Sequence, residues 1–438
     1  MLFTVLLILT AVWILCFGFA GWRRVARDAA FATESSLFDA TDGELTSPAS
    51  HMAEGKDPAA GGKRSSGRWP KVSVVSYALR DEESLSEYLD ILLAQDYPDM
   101  EVVLVCDASA EATSMIAERF GDVGNLHITF IPPGSHNLSR RKLAQTVGIK
   151  AAKGDVVILT STSVAPESDR WVREMARPFA ADPKTAAALG FMHLPIADLS
   201  GKTKWYRQFD YIIESANWIY YAIKGNPYRC SGGNLALRRD CFFSNKGYAT
   251  TISLMDGDDD IFIREIARHG RIEMQLSADS AVNACRGELT DAFYIDLKDR
   301  HIFTRQYLPR SPFIRMAALS ASQWIMLLTA LLSLLSAAIG FPGLIDPDRL
   351  PGMGGVCGSE LLIPPTQGAA IATAAITLIT LATVWGPVTA AYRHLAASLG
   401  AVRLFWATVP FMLWRPLGNI IFNINHRPMR KSHYTWQR

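Results

Sequence analysis

Three long apolar stretches, one at the N-terminus and two in the last third, constrain the fold of this 438-residue chain more than any other feature. Residues 2–20 are apolar apart from Thr4 and Thr10, about the length needed to cross a hydrocarbon core of roughly 30 Å. No charge precedes this stretch, whereas Arg23, Arg24 and Arg27 follow it. That pattern favours an uncleaved anchor whose C-terminal end lies in the cytoplasm over a cleaved signal. Residues 316–341 and 368–392 are each long enough to cross with some tilt. Lys298, Arg300, Arg305, Arg310 and Arg315 precede them, Asp346, Asp348 and Glu360 outnumber Arg349 between them, and Arg393 and Arg403 follow. The positive flanks therefore place the segment between the first and second spans in the cytoplasm. Neither C-terminal span carries Asp, Glu or Lys, which argues against a transporter.

The end of the chain reads less simply. Residues 404–422 are apolar and aromatic, but Pro410, Arg415 and Pro416 interrupt them, and Arg427, Arg430, Lys431 and Arg438 follow. A bent helical hairpin in the cytoplasmic interface is favoured over a further crossing. The expected organisation is an anchor over residues 1–24, a flexible linker over 25–69, an α/β domain over 70–312 and a membrane region over 313–438. The linker is poor in apolar residues, holding mainly Ser, Ala, Gly, Asp, Glu, Lys and Pro between residues 33 and 68. A net charge of +2 leaves no nucleic-acid footprint. The six cysteines lack metal-ligand spacing and are expected as free thiols.

Within the central segment, Val72-Ser73-Val74-Val75 and Glu101-Val102-Val103-Leu104-Val105 read as strands, the second buried on both faces. Between them Leu85, Tyr88, Leu89, Leu92 and Leu93 recur at helical spacing, with Ser84 as the expected N-cap. A β-α-β unit of this kind implies a parallel sheet with ligands at the carboxyl ends of its strands, where Asp107 stands. Residues 139–153 read as a helix with Arg140, Arg141 and Lys142 in its first turn. Cations there are unfavourable for the helix dipole and suggest an anionic ligand, a solvated face being the plainer alternative. The strand Val156-Val157-Ile158-Leu159 then runs into Ser161-Thr162-Ser163.

Two further motifs carry chemistry. Gly232 and Gly233, followed by Asn234, let backbone approach a ligand closely or simply turn the chain. Asp258-Asp259-Asp260 sets three carboxylates side by side, a costly arrangement as mere structure and a source of a general base. The alternative is an acidic helix N-terminus, since Ile261, Phe262 and Ile266 follow with helical spacing.

Taken in order, residues 72–83, the Gln95-Asp96-Tyr97-Pro98 turn, Val105-Cys106-Asp107-Ala108-Ser109, the approach over 148–160 and Gly257-Asp258-Asp259-Asp260-Ile261 resemble the family 2 inverting glycosyltransferases, over about residues 70–310. The resemblance implies a GT-A fold, a Rossmann-like, mostly parallel α/β domain flanked by membrane helices. It further implies transfer of a sugar from a nucleotide-diphosphate donor to a lipid-linked or glycan acceptor in cell-envelope synthesis. The expected setting is a bacterial inner membrane with the catalytic domain cytoplasmic. Carried over residue by residue, Tyr77, Ala78, Asp81 and Asp107 border the nucleobase, and Arg141 and Lys142 face the nucleotide. Asp258 takes the base position with Asp259 next, while Ser161, Ser163, Gly232, Gly233, Asn234, Arg300 and His301 line the donor and acceptor.

The chain departs from the family pattern at two places. Leu297-Lys298-Asp299-Arg300-His301 keeps only the arginine of the Gln-x-x-Arg-Trp signature, which argues against processive polymer synthesis. Ser161-Thr162-Ser163 stands where the family carries Asp-x-Asp, so Mg²⁺ or Mn²⁺ loses the anionic oxygen ligands it prefers. A catalytically silent, glycosyltransferase-like membrane protein is the alternative this motivates.

Overall fold

The computed structural model describes residues 2–42, 69–78, 82–106, 118–121, 123–131, 138–194, 203–284, 291–339, 367–404 and 406–425. The chain forms two compact units, one of Met1–Arg23, Phe313–His394 and Arg403–Phe422, the other of Arg24–Pro312, Leu395–Val402 and Asn423–Arg438.

Helix α1 (Leu2–Trp13), in the first unit, passes through a π-helical turn at Ile14–Gly18 into helix α2 (Ala20–Asp42), whose residues from Arg24 onward belong to the second unit. Arg23 donates to the Leu15 carbonyl within that irregular stretch (3.0 Å). Three helical segments are long and apolar enough to cross a membrane: Phe3–Ala32, Ser311–Ala338 and Gly368–Ser398. The first runs further than the sequence suggests, because α2 stays helical to Asp42 and occupies the start of the expected linker. Its alanine-rich composition explains this: Val25, Ala26, Ala29 and Ala32 are buried at helical spacing. The rest of the expected linker lies outside the described residues. The C-terminal stretch is one helix, Thr408–Asn425, instead of a bent hairpin, and is not among the membrane-length segments. Pro410 sits in its first turn, where a missing N–H costs nothing, and Pro416 is carried in its interior.

The second unit is built on a seven-stranded sheet of β1 (Val72–Ala78), β2 (Met100–Cys106), β3 (Leu126–Phe130), β4 (Val156–Ser161), β6 (Thr185–Leu189), β8 (Leu235–Arg238) and β9 (Arg271–Met274). The strands lie in the order β3-β2-β1-β4-β8-β6-β9. Pairings β1 to β2, β2 to β3, β1 to β4 and β6 to β9 are parallel, and β8 alone runs against its neighbours. The α/β class expected from the sequence is therefore the one observed. The apolar runs of β2 and β4 have no polar face because both are internal strands. A smaller sheet joins β5 (Val164–Pro166), β10 (Val282–Ala284) and β7 (Met192–His193).

Helix α3 (Glu82–Leu93) starts two residues before the expected cap Ser84, which lies inside it. Leu85, Tyr88, Leu89 and Leu92 are buried in a core with Val72, Val74, Val102 and Leu104. Helix α4 (Arg140–Ala151) packs on β1 and β2 through Gly148, where an added Cβ would lie 2.3 Å from Val75 Cγ1 and 2.9 Å from Val105 Cγ2. Gly148→Ala gains about 1 kcal/mol in helix propensity but forces an overlap that costs about 1–3 kcal/mol. Net destabilisation is expected in denaturant unfolding of the detergent-solubilised protein; a variant as stable as the wild type would contradict this packing.

Candidate active site

The parallel strands β1 and β4 end side by side, with Tyr77 opposite Ser161 and the Thr162 amide donating to the Tyr77 carbonyl (3.3 Å). Residues 161–163 turn the chain from β4 into β5 and are half-buried. Next to this turn, Gly233 sits so near β5 that a Cβ would be 2.9 Å from Val164 Cγ2. A Cβ on Gly232 would lie 2.8 Å from Asp259 Oδ2. The glycine pair thus joins the end of β4 to the acidic run through close approach. Gly232→Ala is expected to push the Asp259 carboxylate off its place, and a crystal structure or donor titration of the variant that shows no displacement and no loss would refute this.

Three carboxylates gather around one guanidinium. Arg300 lies 3.1 Å from Asp259 Oδ2, 3.4 Å from Asp256 Oδ1 and 3.7 Å from Asp258 Oδ1. Arg141 approaches Asp258 Oδ2 from the other side at 3.7 Å. Asp260 is bound apart from these, by Arg229 Nε (3.1 Å) and the Thr304 hydroxyl (2.7 Å), while Arg229 also holds Glu214 (2.6 Å). Gly257 makes this possible: its φ of +93° turns the backbone in a way that lets Asp256 and Asp258 both face Arg300. Helix α8 (Asp260–Ile266) follows directly, with the Asp259 side chain accepting from the Asp260 amide (2.7 Å) as its cap. The helix N-terminus that the sequence offers as one reading of this run is thus observed.

Arg300 is fixed by its helix. Helix α9 (Asp291–Arg305) is fastened to helix α6 (Lys204–Ile223) by Lys298 on Asp210 (2.8 Å), and to Asp260 by Thr304, one turn beyond Arg300. The guanidinium therefore projects from a helix pinned on both sides of it.

Burial and charge sort these groups. Burial pushes the Asp258 carboxyl up, but Arg141, Arg300 and Lys142 outweigh it and hold the group below the ordinary aspartate range. Both Asp258 carboxylate oxygens are buried without a hydrogen bond from another residue, so their compensation is mainly ionic, with the residue's own backbone amide adding to it. Burial, with Asp259 adding to it, pushes Asp260 up to about 7 against the pull of Arg229. Asp256 is also raised, first by burial. Burial and the cations Arg229, Arg300 and Lys298 hold His301 neutral, well below the usual histidine value.

Several sequence expectations find different places. Lys142 is fully buried, and its ammonium donates to the carbonyls of Thr251 (2.7 Å), Leu254 (3.1 Å) and Asp256 (2.9 Å), which does not fit a side chain facing a nucleotide. Burial pulls it down to about 8, against the acids Asp258, Asp259, Asp256 and Glu265. Asn234 is likewise a core residue: it accepts from Trp171 Nε1 (3.0 Å) and donates to the carbonyls of Phe191 (3.0 Å) and Ser280 (2.8 Å). Both amide hydrogens are engaged, and the buried side chain presents no surface to a sugar. Tyr77 is buried in the sheet and Ala78 half-buried at its edge. Asp81 and Asp107 lie outside the described residues. Asp256, Thr304 and the pairing of Arg229 with Asp260 are not marked by the sequence reading; Asp256-Gly257-Asp258, two acids across a glycine, is the available signal for the first.

The described residues do not offer a divalent cation a ready ligand set. Ser161 and Ser163 present neutral hydroxyls, and the nearby carboxylates already face arginines. No group of three or more His, Cys, Asp or Glu among the described residues could hold a metal. The described cysteines, Cys16, Cys106, Cys230 and Cys241, are free thiols, as expected.

A mostly parallel α/β sheet thus carries an acidic and arginine-bearing centre beside its strand ends, where ligands of such sheets bind. The chain belongs to the glycosyltransferase-like family 2, whose model matches residues 70–304. It is 26% identical over 184 residues to the glucosyl-dolichyl phosphate glucuronosyltransferase of Haloferax volcanii. That match covers 41% of this chain and 56% of the relative, so it spans little more than half of the relative's length. Among solved structures, the mannosyltransferase PcManGT of Pyrobaculum calidifontis in complex with GDP-Man and Mn²⁺ is 17% identical, covering 87% of this chain and 97% of its own, with a TM-score of 0.43. Glucosyl-3-phosphoglycerate synthase of Mycobacterium tuberculosis, with Mn²⁺, UDP and glucosyl-3-phosphoglycerate, is 16% identical over 49% of this chain and 70% of its own, with a TM-score of 0.32.

Proposed function

We propose that this chain is a membrane-bound inverting glycosyltransferase that moves a sugar from a nucleotide-diphosphate donor to a hydroxyl of a lipid-linked acceptor, with its catalytic domain on the cytoplasmic face. The observation that carries the reading is Asp258, an ionised carboxylate buried at 2% exposure whose oxygens take no hydrogen bond from any other residue. An acceptor hydroxyl supplies the hydrogen bond that this carboxylate lacks. Its proton passes to Asp258 as the oxygen attacks the anomeric carbon, and the bond from that carbon to the diphosphate breaks on the opposite face. The electron pair leaves with the phosphate oxygen, which gives inversion.

Arg141 and Arg300 meet the charge of the leaving diphosphate, in the place where preorganised cations count most. Their transfer to the diphosphate has a second consequence. Asp258 is a weak base while two guanidinium groups depress it, and it strengthens when the donor draws them away. No step is routed through a metal. The lipid-linked acceptor is supported by the spans carried on the same chain and by the Haloferax relative, whose name pairs glucuronosyl transfer with glucosyl-dolichyl phosphate.

The test is a panel of UDP- and GDP-sugars with a glucosyl-polyprenyl phosphate acceptor, run on detergent-purified protein with and without Mn²⁺. Turnover without added metal supports the reading. Nucleotide diphosphate binding without turnover of any donor favours a catalytically silent relative, the reading that Ser161-Thr162-Ser163 motivates.

A further inference from the structure

We propose that Lys142 is a positioning residue: by holding the carbonyls of Thr251, Leu254 and Asp256, its ammonium sets the backbone from which Asp258 projects. The inference rests on the reading of Asp258 as the base. All three ammonium hydrogens are used, at 2.7, 3.1 and 2.9 Å, and the side chain is wholly enclosed. An ammonium buried at such desolvation cost is well compensated only when its acceptors converge, and these three come from one loop.

The same helix turn reinforces the grip. The Ser139 hydroxyl donates to the Met255 carbonyl (2.9 Å) instead of capping its own helix, and the Ser139 amide donates to the Ile252 carbonyl (3.2 Å). Farther along α4, Gln145 accepts from the Tyr248 hydroxyl (2.5 Å), which also reaches the Asp258 carbonyl (3.4 Å). The next residue to Lys142, Arg141, holds the Asp258 carboxylate itself at 3.7 Å. One helix face thus fixes the backbone of residues 251–258 and the charge of the group at its end. Gly257, in its left-handed turn, is the joint between the clamped carbonyls and Asp258.

A misplacement of about 1 Å at a reacting group costs about 100-fold in rate, so Lys142→Met is expected to lower kcat by about that factor. Binding of UDP or GDP, measured by calorimetry, is expected to stay unchanged, and amides of residues 251–257 are expected to exchange hydrogen faster. A nucleotide affinity that falls in step with kcat would overturn the inference by making Lys142 a ligand contact. So would an unchanged kcat in a folded Lys142→Met protein. Should that variant fail to fold, Ser139→Ala releases a single tie to the same loop, and loss of kcat with faster exchange supports the clamp while unchanged kcat overturns it. Asp258→Asn run alongside separates the two readings: retained transfer there removes the base assignment. Should no donor be turned over, the base reading fails by itself, and unchanged exchange of residues 251–257 in Lys142→Met overturns the clamp.

Discussion

Asp258→Asn is expected to lower kcat by about 10²–10⁴-fold and to leave nucleotide diphosphate affinity near the wild-type value. The substitution keeps the shape of the side chain and removes its capacity to take a proton together with the charge that faces Arg141 and Arg300. A general base is distinguished from a donor contact by that split between kcat and binding, read from steady-state transfer and from calorimetry on the same preparation. Loss of affinity equal to the loss of rate would mean that Asp258 binds donor. Full retention of transfer would remove it from the reaction.

The pH dependence follows from the same residue. Despite burial, Asp258 is held below the ordinary aspartate value by Arg141, Arg300 and Lys142. A carboxyl whose folded value is depressed contributes stability that is fully present above its unfolded value of about 3.9 and is lost as pH falls through the lower folded value. Asp258 is therefore ionised in the donor-free protein throughout the neutral range, and its titration supplies no acidic limb to kcat/KM above about pH 4. Any limb seen in kcat alone reports the donor complex, where the diphosphate has taken the arginines. An acidic limb of kcat/KM near neutrality that disappears in Asp258→Asn would contradict this.

Arg300→Met carries the other large effect. It leaves Asp256, Asp258 and Asp259, all buried or partly so, with their shared cation removed. Breaking a buried pair from one side costs about 3–5 kcal/mol, because the partner stays in place as an uncompensated charge. Three carboxylates raise that cost, and the repulsion among them is relieved only by taking up protons. The expected deficit is accordingly large at pH 8 and shrinks as pH falls and the carboxylates protonate. Unfolding in denaturant at pH 5 and pH 8 measures this, and an equal deficit at both would place the role of Arg300 in packing. Arg300→Lys retains the charge without the planar fork that reaches three acids at once, so partial recovery is expected.

Much of the architecture could be read from the chain alone. Val72-Ser73-Val74-Val75 and Val156-Val157-Ile158-Leu159 announce buried strands because internal strands of a parallel sheet have no solvent face. The three membrane-length segments follow from composition over a stretch of fixed length. Their ends are less well marked, since alanine continues a helix without signalling it, and α2 runs on to Asp42. Asp258, Asp259, Gly232, Gly233 and Arg141 stand out as site candidates because charge clusters and glycine pairs are local features, whereas Arg300 enters only through the family resemblance.

The partners of those residues are not local. Lys142 and Arg141 are adjacent in sequence and equally basic, yet one is enclosed by three carbonyls more than a hundred positions away while the other reaches a carboxylate. Asn234 follows the glycines as a ligand residue would, but the sheet places it under Trp171, Phe191 and Ser280. The sequence by itself determined which segments are apolar, which carry charge and which turn, because these depend on neighbours along the chain. Only the tertiary structure decided which charges are paired, since desolvation and distance are set by residues that folding alone brings together.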